Sequence, residues 1–146
     1  MGLIDEISGS KICIDTAPFV YFIENNPKYF AMLEPLFSEI DAEKTNAVTS
    51  TITLLEVMVL PLKNNDKALA DKYRDILLNS AGLTTHEVSH DMAGMAARLR
   101  AKYSIRTPDA IQIATGIILE ADAFLTNDIN FKKVNDIKVF ILDDFL

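Results

Sequence analysis

The sequence predicts an α/β protein built on one central, mainly parallel sheet with helices on both faces. Short apolar runs of strand length alternate along the chain with amphipathic stretches of helix length, and strands separated by helices pair in parallel under helical cover. No repeat, low-complexity tract or linker interrupts the alternation, and 146 residues suit a single domain, residues 1–146, with enough chain for a real core.

Each element has its own local signal. Lys11–Ile14 (KICI) reads as a buried strand ending at Asp15. Thr16 to Asn25 follows as a helix with Pro18 in its first turn, where proline is tolerated. Tyr29 to Glu43 is a second helix and Ala47–Thr49 a short strand. Ser50 is a good N-cap for a helix running to about Leu60, where Pro61 disturbs it. Asp66 to Asn79 is polar and amphipathic and stops before Gly82, a residue that suits helix ends. Leu83–Val88 is a strand, and Ser89 caps a helix through Lys102. Thr107 caps the next, with Pro108 in its first position, through Glu120. Ala123–Thr126 (AFLT) and Lys138–Leu142 (KVFIL) complete the set.

Composition narrows the function. Hydrophobic residues make up 49% and charged residues 24%, which describes a globular chain. No apolar run reaches the ~18 residues of a membrane span, and MGLIDEISGSK lacks the basic-then-apolar pattern of a signal peptide. The single cysteine, Cys13, sits inside an apolar strand as a core thiol. It permits no internal disulfide, so a reducing, cytoplasmic location is expected. The net charge of −7 argues against a nonspecific nucleic-acid coat. It leaves open an enzyme that approaches phosphates through metal ions, because such a site must itself be acidic.

Four acids stand out by position. Asp15 and Asp128 sit just beyond strands, where open parallel sheets bind ligands, although aspartate also shapes turns and caps helices there. Glu56 is the one charged residue between Thr51 and Leu62 (TITLLEVMVLPL). Its helix is apolar nearly all round, which signals burial, and a buried carboxylate is costly unless paired. Asp109 opens TPDAIQIATGIILE, whose Ala110, Ile113, Ala114, Ile117 and Ile118 form a core stripe. The helix dipole alone explains an acid there. It does not explain why Gln112 and Gly116 continue the Asp109 side; a face open toward a polar cleft does. Carboxylates about 5 Å apart repel by roughly 3 kcal/mol at an effective dielectric near 20. Hard divalent ions such as Mg²⁺ or Mn²⁺ reverse that sign, favour oxygen ligands and activate water against phosphate.

The segments ICIDT (Ile12–Thr16), TSTITLLE (Thr49–Glu56), RTPDAIQIATG (Arg106–Gly116) and FLTNDINF (Phe124–Phe131) resemble, in order and spacing, the four signature regions of the PIN domain. The nearest likeness is to small VapC-type toxins of prokaryotic toxin–antitoxin pairs. The resemblance implies a three-layer α/β/α sandwich and a Mg²⁺- or Mn²⁺-dependent endoribonuclease. It further implies RNA as substrate, a cognate antitoxin and a homodimer. On it, Asp15, Glu56, Asp109 and Asp128 are the catalytic, metal-binding acids, Ser50 and Thr126 the supporting hydroxyls, and Phe131 the aromatic. Asn127 departs at a position where the family varies.

Other signals carry two readings. Arg98, Arg100, Lys102 and Arg106 lead into Asp109, either as a solvated helix face or as an edge that contacts RNA phosphates. The aromatic run Phe19–Phe22 (FVYF) marks either a dimer interface or a buried helix. His86–His90 (HEVSH) matches the zinc-protease pattern, but that chemistry needs both histidines on one helical face, and this string straddles a strand end and a cap. The remaining alternatives are a non-catalytic, acidic partner-binding module of the same fold and a phosphatase with an aspartate nucleophile, whose usual second aspartate two residues on is Ala17 here.

Overall fold

The computed structural model describes all residues, Met1–Leu146. Its five strands are β1 (Lys11–Ile14), β2 (Asn46–Ser50), β3 (Leu83–His86), β4 (Ala123–Thr126) and β5 (Lys138–Ile141). They form one sheet in the order β3-β2-β1-β4-β5, and all four pairings are parallel. The helices are α1 (Leu3–Ile7), α2 (Thr16–Ile23), α3 (Phe30–Asp41), α4 (Thr51–Lys63), α5 (Lys67–Asn79), α6 (His90–Lys102) and α7 (Thr107–Ile118). Short 3-10 turns follow β4 and β5.

Alternation along β1 divides the core in two, because successive strand side chains face opposite ways. Ile12 and Ile14 join Phe19, Leu33, Leu36, Tyr73 and Leu77 beneath α1–α5. Cys13 faces the other way, into a smaller cluster with Ala96, Leu99, Ala110, Ile113 and Ala114 of α6 and α7. The three-layer sandwich follows directly.

Most elements stand within a residue or two of the sequence expectation, and the exceptions have identifiable causes. α1 went unread because it is one short turn; its Leu3 and Ile7 anchor it, four residues apart and buried. α4 continues through Pro61 to Lys63 because the buried proline ring packs on the inner face, outweighing the lost hydrogen bond. β3 stops at His86 rather than Val88. Arg106, not Thr107, holds the N-cap position of α7, and it does so without a side-chain bond.

The run Phe19–Phe22 turns inward. Phe19 is fully buried, and the Phe22 ring stacks on Phe30 and Phe37 at 5.4 and 4.2 Å. The exposed apolar surface lies instead on α4, where Leu55, Val59, Leu60 and Leu62 are 55–62% exposed. An apolar circumference therefore does not mean burial for this helix.

Two glycines set close approaches. Gly116 brings α7 against β1: a Cβ there would lie 3.1 Å from both Cys13 Cβ and Ile137 Cδ1. Gly116 thus serves packing and does not open a cleft. Gly82 enters β3 at φ +73°, and a Cβ there would lie 2.1 Å from the Ile40 carbonyl oxygen. Gly82→Ala should accordingly destabilise the fold by at least about 2 kcal/mol, combining left-handed strain with overpacking. Urea unfolding of both proteins measures this; an unchanged midpoint would refute the close approach.

Candidate active site

The candidate acids gather at the carboxyl edge of the sheet. β1 lies between β2, reached through α2 and α3, and β4, reached through α6 and α7. This is the switch point where parallel sheets leave a crevice. Asp15 follows β1 directly. Its backbone N–H donates to the Leu125 carbonyl at 2.9 Å, carrying the β1–β4 pairing one residue beyond the strand. The side chain is thereby aligned with Thr126, whose hydroxyl donates to Asp15 Oδ2 at 2.7 Å.

α7 supplies the opposite wall. Asp109, Gln112 and Gly116 are spaced i, i+3, i+7 and share one helix face. With Gly116 against Cys13, that face brings Gln112 and Asp109 to the end of β1. Gln112 is buried and all its polar atoms are used. Its Oε1 accepts from the Ser50 hydroxyl at 2.8 Å. Its Nε2 donates to Thr53 Oγ1 at 2.6 Å and to Asp15 Oδ1 at 3.4 Å. Thr53 pairs with Thr49, whose hydroxyl donates to the Ile14 carbonyl. Every buried side-chain polar atom in the protein has a partner. Sequence reasoning placed Gln112 on a cleft-facing side and missed that it steers Asp15; its isolation among the apolar residues of α7 was the available signal.

Burial pushes the Asp15 carboxyl from the ordinary 3.8 up to about 6. The Thr126 bond opposes the shift, while the charges of Asp109 and Glu56 add to it. Desolvation thus exceeds mutual repulsion as the cause. Glu56, on α4, accepts from Thr16 Oγ1 at 2.6 Å, which ties it to the start of α2. Asp109 accepts from Arg106 on both oxygens, from Nε at 3.1 Å and Nη2 at 3.3 Å. Asp128 keeps a turn role: its Oδ1 accepts from the Asn130 N–H at 2.9 Å, and its own N–H donates to Thr126 Oγ1 at 3.1 Å. The charges of Glu56 and Asp109 therefore both act on Asp15, with Asp128 joined through Thr126 and through the charge of Arg106.

No three His, Cys, Asp or Glu side chains converge into a ready-made cage. The donors these four acids offer are all carboxylate oxygens, the type that hard divalent ions take. The largest cleft, about 710 Å³, runs along β5 and is not lined by any of the four acids.

Arg106 is the one member of the basic stretch that pairs with these acids. Arg98 is exposed. Arg100 Nε donates to the Ile105 carbonyl, and Lys102 pairs with Asp136. The HEVSH string is split: His86 ends β3, His90 begins α6, and the intervening residues are irregular. The two histidines share no helical face, which removes the zinc-protease alternative. Cys13 is buried, and burial pushes its thiol up, as suits an inert core residue.

The PIN domain profile matches residues 12–137. The chain belongs to the PIN domain family, a family of nucleases. Among solved structures it is similar to VapBC2 from Rickettsia felis bound to a promoter DNA fragment, at 23% identity and a TM-score of 0.69, covering 90% of this chain and 98% of that one. A toxin–antitoxin complex from Klebsiella pneumoniae is 23% identical with a TM-score of 0.67, covering 91% and 98%. The sarcin–ricin loop cleaving toxin VapC20 of Mycobacterium tuberculosis is 15% identical with a TM-score of 0.66, covering 88% and 99%. No curated protein matches the chain.

Asp15 makes stability depend on pH. The unfolded carboxyl ionises near 3.8 and the folded one near 6, so between these values the folded state holds the extra proton. The Asp15 contribution to stability is therefore greatest below about pH 4, falls as pH rises to about 6, and is flat above. Asp15→Asn should remove that decline and leave the variant about 2–3 kcal/mol more stable than the parent at pH 7.5 without metal. Chemical denaturation from pH 4 to 8 reads this directly; parallel curves for the two proteins would contradict it.

Proposed function

We propose that this chain is a divalent-metal-dependent endoribonuclease and the toxin of a toxin–antitoxin pair. The observation that carries the reading is Asp15: a carboxylate sunk at the end of the central strand, aimed by Thr126 and Gln112, against the charges of Asp109 and Glu56. A fold does not keep such a group for its own stability. Asp15, Glu56, Asp109 and Asp128 would hold Mg²⁺ or Mn²⁺ together with water. Held there, such an ion would offset the repulsion among the acids, polarise a phosphate and lower the pKa of a bound water.

The protein's own part is orientation. Thr126 and the amide of Gln112 hold the two Asp15 oxygens in fixed directions, and Ser50 holds Gln112. Thr16 does the same for Glu56. RNA as substrate and an antitoxin as partner are supported by the family and by neighbours described as toxin–antitoxin complexes and, in one case, as a toxin that cleaves the sarcin–ricin loop.

Asp15→Asn and Asp109→Asn should each lower cleavage of a mixed tRNA, rRNA and mRNA substrate by more than about 100-fold, and EDTA should do the same to the parent. Circular dichroism should be unchanged throughout. Full activity in either variant defeats the assignment, and a parent that neither binds Mn²⁺ nor cuts RNA points to the acidic partner-binding module.

The homodimer forms, on this reading, through the exposed face of α4 rather than through Phe19–Phe22. Leu55, Val59 and Leu62 follow helical i, i+4, i+7 spacing and leave one apolar stripe in water. Light scattering at micromolar concentration should report about twice the chain mass of 16.2 kDa for the parent and a monomer for Val59→Asp. A monomeric parent would eliminate this surface as a self-interface.

A further inference from the structure

We infer that Arg106 is an exchangeable latch: without substrate it occupies the Asp109 carboxylate in place of a metal ion, and on RNA binding it moves to the phosphate. The inference rests on the metal-nuclease reading above and assigns one side chain two successive partners.

The geometry begins at the N-terminus of α7. Arg106 is the N-cap residue and Asp109 the third residue of the helix. An acid at this place often turns back to the N-cap backbone N–H. Here both of its oxygens take the Arg106 guanidinium instead, at 3.1 and 3.3 Å. A planar fork across both carboxylate oxygens neutralises the charge and covers the positions an ion would use. Asp109 cannot serve both partners fully.

The pair is built to open. Its distances are long for a charge-assisted bond, which normally spans about 2.7–2.9 Å. The Arg106 side chain is 73% exposed while that of Asp109 is 15% exposed, so the arginine is free to swing and the acid is fixed. Of the five guanidinium N–H groups, Asp109 uses two, which leaves donors directed to solvent. Glu56 and Asp128 are near enough to act on its charge as well. Lys102 and Arg100 bond elsewhere, to Asp136 and the Ile105 carbonyl.

A phosphate approaching Asp109 meets repulsion from the acids and attraction from Arg106. Transfer of the fork from carboxylate to phosphate keeps the arginine paired and exposes Asp109 to a cation at the same moment. Substrate and metal would then favour each other's binding, as reciprocal coupling requires.

The test compares the parent, Arg106→Ala and Arg106→Lys in two assays. Mn²⁺ alone is titrated calorimetrically without RNA, and single-turnover cleavage of the mixed RNA substrate is followed at saturating Mn²⁺. Arg106→Ala should bind Mn²⁺ about two- to fivefold tighter, the release expected from one exposed ion pair, yet cleave at least about tenfold more slowly for want of a charged phosphate donor. Arg106→Lys keeps the charge without the fork and should fall between the two in both assays. Opposite movement of the two readouts is the signature. Mn²⁺ binding that is unchanged or weaker in Arg106→Ala overturns the latch, the weaker case meaning that Arg106 props Asp109 in place. Parental cleavage rates in that variant overturn the phosphate contact. If neither the parent nor Arg106→Ala takes up Mn²⁺, the metal reading itself fails, and this inference falls with it.

Discussion

Holding Asp15 at the end of β1 costs the folded state, because burial works against its charge while Asp109 and Glu56 stand close by. The surroundings are organised around that cost. Thr126 takes one oxygen and Gln112 the other, and the hydroxyls of Ser50, Thr53 and Thr49 continue the network to the backbone of β1. With every member satisfied, the network stiffens the site; one missing partner would leave a buried polar group in a low dielectric. At neutral pH a carboxyl near 6 is mostly ionised, so Asp15 stands as an oriented anion for which the chain supplies no buried cation.

The distance between the two walls of the site is a packing matter. Gly116 lets α7 approach β1 at Cys13, two residues before Asp15, and the same helix face carries Gln112 and Asp109. Strand and helix are thereby registered by a contact that lies wholly within the apolar core. Core and chemistry are linked through this one face: a side chain at Gly116 would lift Asp109 and Gln112 away from Asp15 together.

Charge is distributed to match. The chain carries −7 overall, and the basic residues near α7 are mostly committed to local structure, Arg100 to a carbonyl and Lys102 to Asp136. Arg106 is the member of that stretch paired with the acidic edge, through Asp109.

The parallel sheet, the strands at Lys11–Ile14 and Ala123–Thr126, the Ser50 cap and the positions of the four acids were legible in the sequence. They depend on local periodicity, on caps, and on acids that follow apolar runs, all properties of neighbouring residues. Other features required residues distant in the chain. The apolar circumference of α4 suggested burial, but Leu55, Val59, Leu60 and Leu62 lie in water, because which helix faces find a covering layer is decided by how the layers pack. Gly116 resembled an opening and proved to be a contact, because Cys13 lies 103 positions away in the chain. HEVSH matched a helical motif whose spacing means nothing once a strand ends between its histidines. The residue types and their order set which chemistry was available; only the tertiary structure decided which oxygens face one another, because those distances come from packing between β1, α4 and α7.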